Sequence, residues 1–145
     1  MSEPKPTIAN LRPLPTPANP IVEEWIAKAA ADMETSDREA AITGVKANYD
    51  AVCFHAQQAI EKLMKAVLIA HGLTPPYTHD LSLLAGLIAK HLGDWPHDSK
   101  DLRLLTLGAV QYRYPGMAAT QQDSSDALTI AAGLWPALVA LLPRT

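Results

Sequence analysis

The stretch from Asn48 to His71, "NYDAVCFHAQQAIEKLMKAVLIAH", constrains the fold more than any other. It contains neither proline nor glycine, and Gly72 follows it as a helix stop. On a wheel of about 100° per residue, Tyr49, Val52, Ala56, Ile60, Leu63 and Val67 fall on one side. His55, Gln58, Lys62 and Lys65 form a polar stripe on another. The remaining arc mixes Gln57 and Glu61 with Phe54, Met64 and Leu68. Water does not cover an arc that carries three large apolar side chains. This helix is therefore expected to be covered on two sides. One cover is its own bundle; the other is a further helix of the chain or a second copy of it. Gln57 and Glu61 then become partly buried groups that need partners.

The rest of the chain supplies more helices and no strand, because no run alternates apolar and polar residues. A first helix is expected just after Asn19-Pro20, with Asn19 as cap and Val22, Ile26, Ala29 and Met33 as its apolar stripe, Trp25 beside it. "METSDREAAITG" weakens the pattern, so this helix breaks near Thr35 or runs on to Ile42, and Gly44 ends it. "LTPPYTHD" is a loop. Thr78 or Asp80 opens a third helix bearing Leu81, Leu84, Leu87, Ile88 and Leu92 as far as Gly93. A fourth spans about residues 98–112, with Leu102, Leu105 and Ala109 on one side, and stops before Pro115-Gly116. A fifth opens near Thr120, where Thr120 and Asp123 have capping-box spacing, and runs through Ile130, Leu134, Leu138 and Leu141 with Pro136 as a kink. The fold expected is all-α, a single up-and-down bundle of four to five helices over residues 20–145. Residues 1–20 hold half of the chain's 12 prolines, and residues 1–19 read as an extended arm, with Ile8, Leu11 and Leu14 as its apolar docking residues.

Composition narrows the function. The 145 residues suit one core, and a formal charge of -3 provides no overall basic field for nucleic acid. The single Cys53 excludes an internal disulfide framework and fits a reducing cytoplasm; inside so apolar a helix it reads as a small buried hydrophobe. No apolar run reaches the ~18 residues of a membrane span, and the N-terminal residues lack the apolar centre of a signal peptide. The expected location is the cytoplasm. No phosphate-cradling glycine loop, nucleophile elbow or H-E-x-x-H motif is present, and His71, His91 and His97 show no metal spacing, so no cofactor and no metal are expected.

"FHAQQAIEKLMKA" from Phe54 to Ala66, then "THDL" from Thr78 to Leu81, then "YRYPG" from Tyr112 to Gly116, resemble in that order the hallmarks of the HEPN domain (higher eukaryotes and prokaryotes nucleotide-binding). The resemblance covers roughly residues 20–142. It implies a helical bundle that dimerises, is often encoded beside or fused to a minimal nucleotidyltransferase, and carries a polar cleft at or near the dimer interface. Ribonuclease members of that family carry Arg, four to six residues, then His on one helix. Here none of Arg38, Arg103 and Arg113 is followed by such a His.

The expected function is therefore a non-catalytic, homodimeric binding module for a nucleotide or a nucleotidyltransferase partner, in a toxin–antitoxin-like setting. RNA remains a second candidate ligand. One alternative is a ribonuclease with a non-standard site around Arg113, Tyr114 and His55; another is a purely structural dimer. The candidate nucleotide-binding residues are Arg113, Tyr114, Gln57, Gln58, Glu61 and Lys62. Arg113 suits a phosphate bidentately, or it caps helix carbonyls or bridges to Glu61. His55 acts on a substrate or packs with one hydrogen bond satisfied. Asp80 is expected to cap, and Glu61 with Lys65 to form an i,i+4 pair.

Overall fold

The computed structural model describes residues 19–143, and it is helical throughout, with no strand among them. The five helices are α1 (Pro20–Ala40), α2 (Tyr49–Ala70), α3 (Leu81–Leu92), α4 (Ser99–Val110) and α5 (Gln121–Val139), with short 3-10 turns at Gly44–Lys46 and Gln111–Arg113. The expected arm lies outside the described residues except for Asn19.

Each helix begins where its sequence offers a side-chain oxygen to the unpaired amides of the first turn. Asn19 accepts from Ile21 N, Asn48 from Ala51 N, Asp80 from Ser82 N and Asp98 from Lys100 N and Asp101 N. Thr120 and Asp123 form the reciprocal capping box expected of them. α1 does not break at Thr35. Ser36 is fully buried there and its hydroxyl donates to Val52 O at 2.8 Å, tying the second half of α1 to α2. α2 stops by a Schellman arrangement: Leu73 N donates to Leu68 O and Gly72 N to Ile69 O, with Gly72 at φ +80° where a side chain would be strained. His71 adds a bond of 2.7 Å from Nε2 to Leu141 O, joining the ends of α2 and α5.

α2 is the axis of the bundle and packs against all four other helices, α1 above all. Val52, Ala56, Ile60, Leu63 and Val67 are fully buried, as the wheel requires, while Tyr49 is only half-buried. Met64 and Leu68 are buried as well. The second covered side of α2 is thus met largely by helices of the same chain, and the apolar arc that suggested a second copy is filled without one, Phe54 alone staying half-exposed.

Cys53 faces Gly108 of α4. A Cβ on Gly108 would lie 3.0 Å from Cys53 Cβ and 3.2 Å from its carbonyl oxygen, so glycine is what lets α4 approach α2. Gly108→Ala gains helix propensity but must push the two backbones apart. We expect a net loss of about 1–2 kcal/mol in urea denaturation, and a gain in stability would contradict the packing. Burial, followed by the carboxylates of Asp123, Asp50 and Asp126, pushes the Cys53 thiol up to about 12, so it is an inert packing group at neutral pH.

Candidate functional site

The polar stripe of α2 is built on two carboxylates sunk beneath it. The first is Glu61, nearly fully buried. Its Oε2 accepts from Lys65 Nζ at 3.0 Å, and its Oε1 from His79 Nδ1 at 2.8 Å and Gln57 Nε2 at 3.1 Å. Gln57, fully buried, also donates to His79 O at 3.0 Å and accepts from Gln58 Nε2 at 2.8 Å. The Glu61–Lys65 spacing is that of an ordinary surface pair, but here both groups are buried. Lys65 Nζ further sits 5.9 Å from the ring centroid of Trp25 in α1, a cation–π contact. Burial pushes the Glu61 carboxyl upward, but the hydrogen bonds from His79, Lys65 and Gln57 and the charge of Lys65 outweigh it, so Glu61 titrates below its ordinary value and is ionised at neutral pH.

The second carboxylate is Asp32 of α1. It accepts from His55 Nδ1 at 2.9 Å and holds Lys62 Nζ through its other oxygen. The two clusters repeat one plan: a carboxylate, a lysine ammonium and a histidine bound through Nδ1. An ionised carboxylate only accepts, so Nδ1 carries the proton in both histidines and Nε2 is left as the acceptor of the neutral ring. The side chain of His79 is 60% exposed and that of His55 30%, against 12% or less for the two carboxylates. The stripe therefore shows the outside two imidazoles, the Lys62 ammonium and the Gln58 amide, over a buried layer of negative charge.

Sequence reasoning grouped Gln57, Gln58, Glu61 and Lys62; in the structure Gln57, Gln58 and Glu61 share one hydrogen-bonded cluster, and Lys62 belongs to the other, on Asp32. Arg113 and Tyr114 stand at the 3-10 turn after α4, both exposed. Among the described residues no hydrogen bond or ion pair joins Arg113 to Glu61, so the bridging role weighed for it is not taken up; Glu61 is filled by Lys65, His79 and Gln57. Two participants escaped the sequence. His79 belongs to the loop before α3 and reaches back to Glu61 while its neighbour Asp80 caps the helix as expected. Asp32 lies three residues after buried Ala29 and four before buried Ser36, a spacing that puts it on the inner face of α1 and marks it for a partner on α2. Among the described residues no cluster of His, Cys, Asp and Glu could hold a metal ion, and no helix is long and apolar enough to cross a membrane.

Residues 22–140 match the HEPN domain. The chain belongs to that family. This HEPN domain also shares its fold with TT1696 from Thermus thermophilus, whose crystal structure superposes with a TM-score of 0.64 at 19% identity, covering 83% of this chain and 94% of that one. No curated protein matches the sequence.

Proposed function

We propose that this HEPN domain is a non-catalytic module that binds a nucleotide through the α2 stripe, acting as a homodimer beside a minimal nucleotidyltransferase. The observation that carries the reading is the paired arrangement on Asp32 and Glu61. Two buried carboxylates hold four cationic or protonatable groups in fixed positions, and a surface that only had to face water would not fix them so. Lys62 and His79 suit a phosphate, and Gln58 a ribose or base edge. Gln57 and Glu61 are too buried to touch a ligand and act from beneath by orienting His79 and Gln58. Arg113 and Tyr114 contribute a guanidinium, unpaired among the described residues, and a phenol from the end of α4.

The test is a melting-temperature screen with nucleoside mono-, di- and triphosphates, followed by affinity and stability measurements on Arg113→Ala. A bound nucleotide raises the melting temperature. Arg113 is exposed and bonds to nothing among the described residues, so its removal should change stability by less than about 0.5 kcal/mol. It should weaken nucleotide binding by about 1.5–3 kcal/mol, the worth of a charge-assisted hydrogen bond. Unchanged affinity would remove Arg113 from the site.

A ribonuclease reading has one observation in its favour: Asp32 fixes His55 with Nε2 free to accept a proton. No Arg–His pair on one helix accompanies it, so purified protein is expected not to cleave RNA. Cleavage abolished by His55→Ala would reverse the assignment.

A further inference from the structure

A groove unrelated to the α2 stripe runs between α4 and α5. Its wider end, about 410 Å³, is lined by Leu104, Ile130 and Leu134 with Asp101 and Asp126 at the edge. A narrower hollow of about 60 Å³ continues it past Leu107 to Tyr112 and Asp123, and the two share Leu104, Asp126 and Ile130. Leu104 and Leu107 are 53% and 46% exposed, an apolar floor left open to water. Among the described residues neither lysine nor arginine lines either hollow. Leu104 and Leu107 are not required by the core, which Leu102 and Leu105 of the same helix already serve. The groove thus calls for an occupant that is apolar along one edge, basic and free of acid.

We infer that this groove receives residues 5–17 of this chain. That segment, "KPTIANLRPLPTP", carries Lys5 and Arg12 and no acidic residue. In a polyproline helix of three residues per turn, which its prolines favour, Lys5, Ile8, Leu11, Leu14 and Pro17 share one edge. Ile8 to Leu14 then spans about 19 Å at ~3.1 Å per residue. α4 itself is about 18 Å long at ~1.5 Å per residue, so the three apolar side chains match the length of the groove. Asp101 and Asp126 give the wider hollow an acidic edge, complementary in charge to a segment that carries Lys5 and Arg12. Among the described residues Asp126 holds only the neutral amide of Gln122, whereas Asp98 and Asp123 are already engaged as helix-capping groups. The segment joins α1 at Asn19, so at ~3.1 Å per residue Leu14 reaches up to about 16 Å from Asn19 and Ile8 up to about 34 Å. Polyproline segments bind in this way, by apolar edges in a shallow groove at low ordering cost.

The test places a nitroxide on the full chain at Thr7→Cys. Buried Cys53, with its raised thiol pKa, stays unlabelled. Amide signals of Leu104, Leu107 and Ile130 should broaden, and the combined change Asp101→Lys and Asp126→Lys should reduce that broadening at least five-fold with the fold intact, since neither side chain is buried. Leu104→Lys, at an exposed position, should do the same. Broadening that persists at high dilution places the segment in its own groove; broadening lost on dilution places it in the groove of a second copy, and both support the inference. Broadening centred on another surface, or unaffected by the three substitutions, overturns it.

Discussion

Glu61→Ala is expected to cost about 3–5 kcal/mol, because it removes one partner of a buried ion pair and strands the other. Lys65 would keep its charge in a place with almost no water and only the Trp25 ring to face it. Gln57 would lose one of its two acceptors, and His79 its anchor, so the loop before α3 would loosen at the same time. Glu61→Gln keeps the shape and the acceptor oxygen but not the charge, and should fall between wild type and Ala. The pH dependence follows from the same group. Glu61 titrates below its ordinary value of 4.5 in the folded protein, so the folded state holds the ionised form more firmly than the unfolded chain does. Its contribution is present above the unfolded value and is lost as pH falls through the folded one, which puts the loss below about pH 4.5. Urea denaturation at pH 7 and at a series of acid pH values measures both effects. Wild type should lose more stability on acidification than Glu61→Gln. A cost for Glu61→Ala below about 1 kcal/mol would mean that Lys65 finds water or another partner, and that the cluster does not hold the loop.

The fold was legible in the sequence because its signals are local. Caps at Asn19, Asn48, Asp80 and Thr120, and the glycines at 72 and 93, lie beside the helices they bound, and a helical period needs only one helix to be seen. The site was legible by half. A wheel drawn on α2 shows that Gln57, Gln58, Glu61 and Lys62 cannot all be solvated, but it does not show what covers them. Asp32 and His79 come from 23 and 18 residues away, at His55 and Glu61, and no period within one helix encodes such a meeting. Arg113 exposes the same limit from the other side. The bridge to Glu61 weighed for it is not made, because Gln57, Lys65 and His79 fill Glu61 from α2 and the loop before α3, and which residues already occupy Glu61 is not written near Arg113 in the sequence. Likewise Met64 and Leu68 pointed correctly to a second cover on α2. That cover is the chain's own helices, so these two residues do not argue for a dimer, which must be sought in exposed groups instead.

Leu63→Ala carries the second large effect, and it separates packing from polar order. Leu63 lies two residues beyond Glu61, about 200° round the helix, and is fully buried in the main cluster. Truncation removes methyl groups from water-free surroundings and leaves a cavity that neighbours on rigid helices close only in part, so about 2–5 kcal/mol should be lost. Leu83→Ala is the control of identical chemistry. It sits half-exposed on α3, and the loss there should stay near or below about 0.5 kcal/mol. The two substitutions should also differ in their response to acid. The Leu63 deficit arises from apolar packing and should be the same at pH 7 and pH 4, whereas the Glu61→Ala deficit shrinks once the wild-type carboxylate is itself protonated. A deficit for Leu63→Ala below about 1 kcal/mol would place the axis of the bundle on a different face of α2. The stripe bearing Lys62 and Gln58 would then be wrongly phased as well, because both assignments rest on the one rotation of that helix.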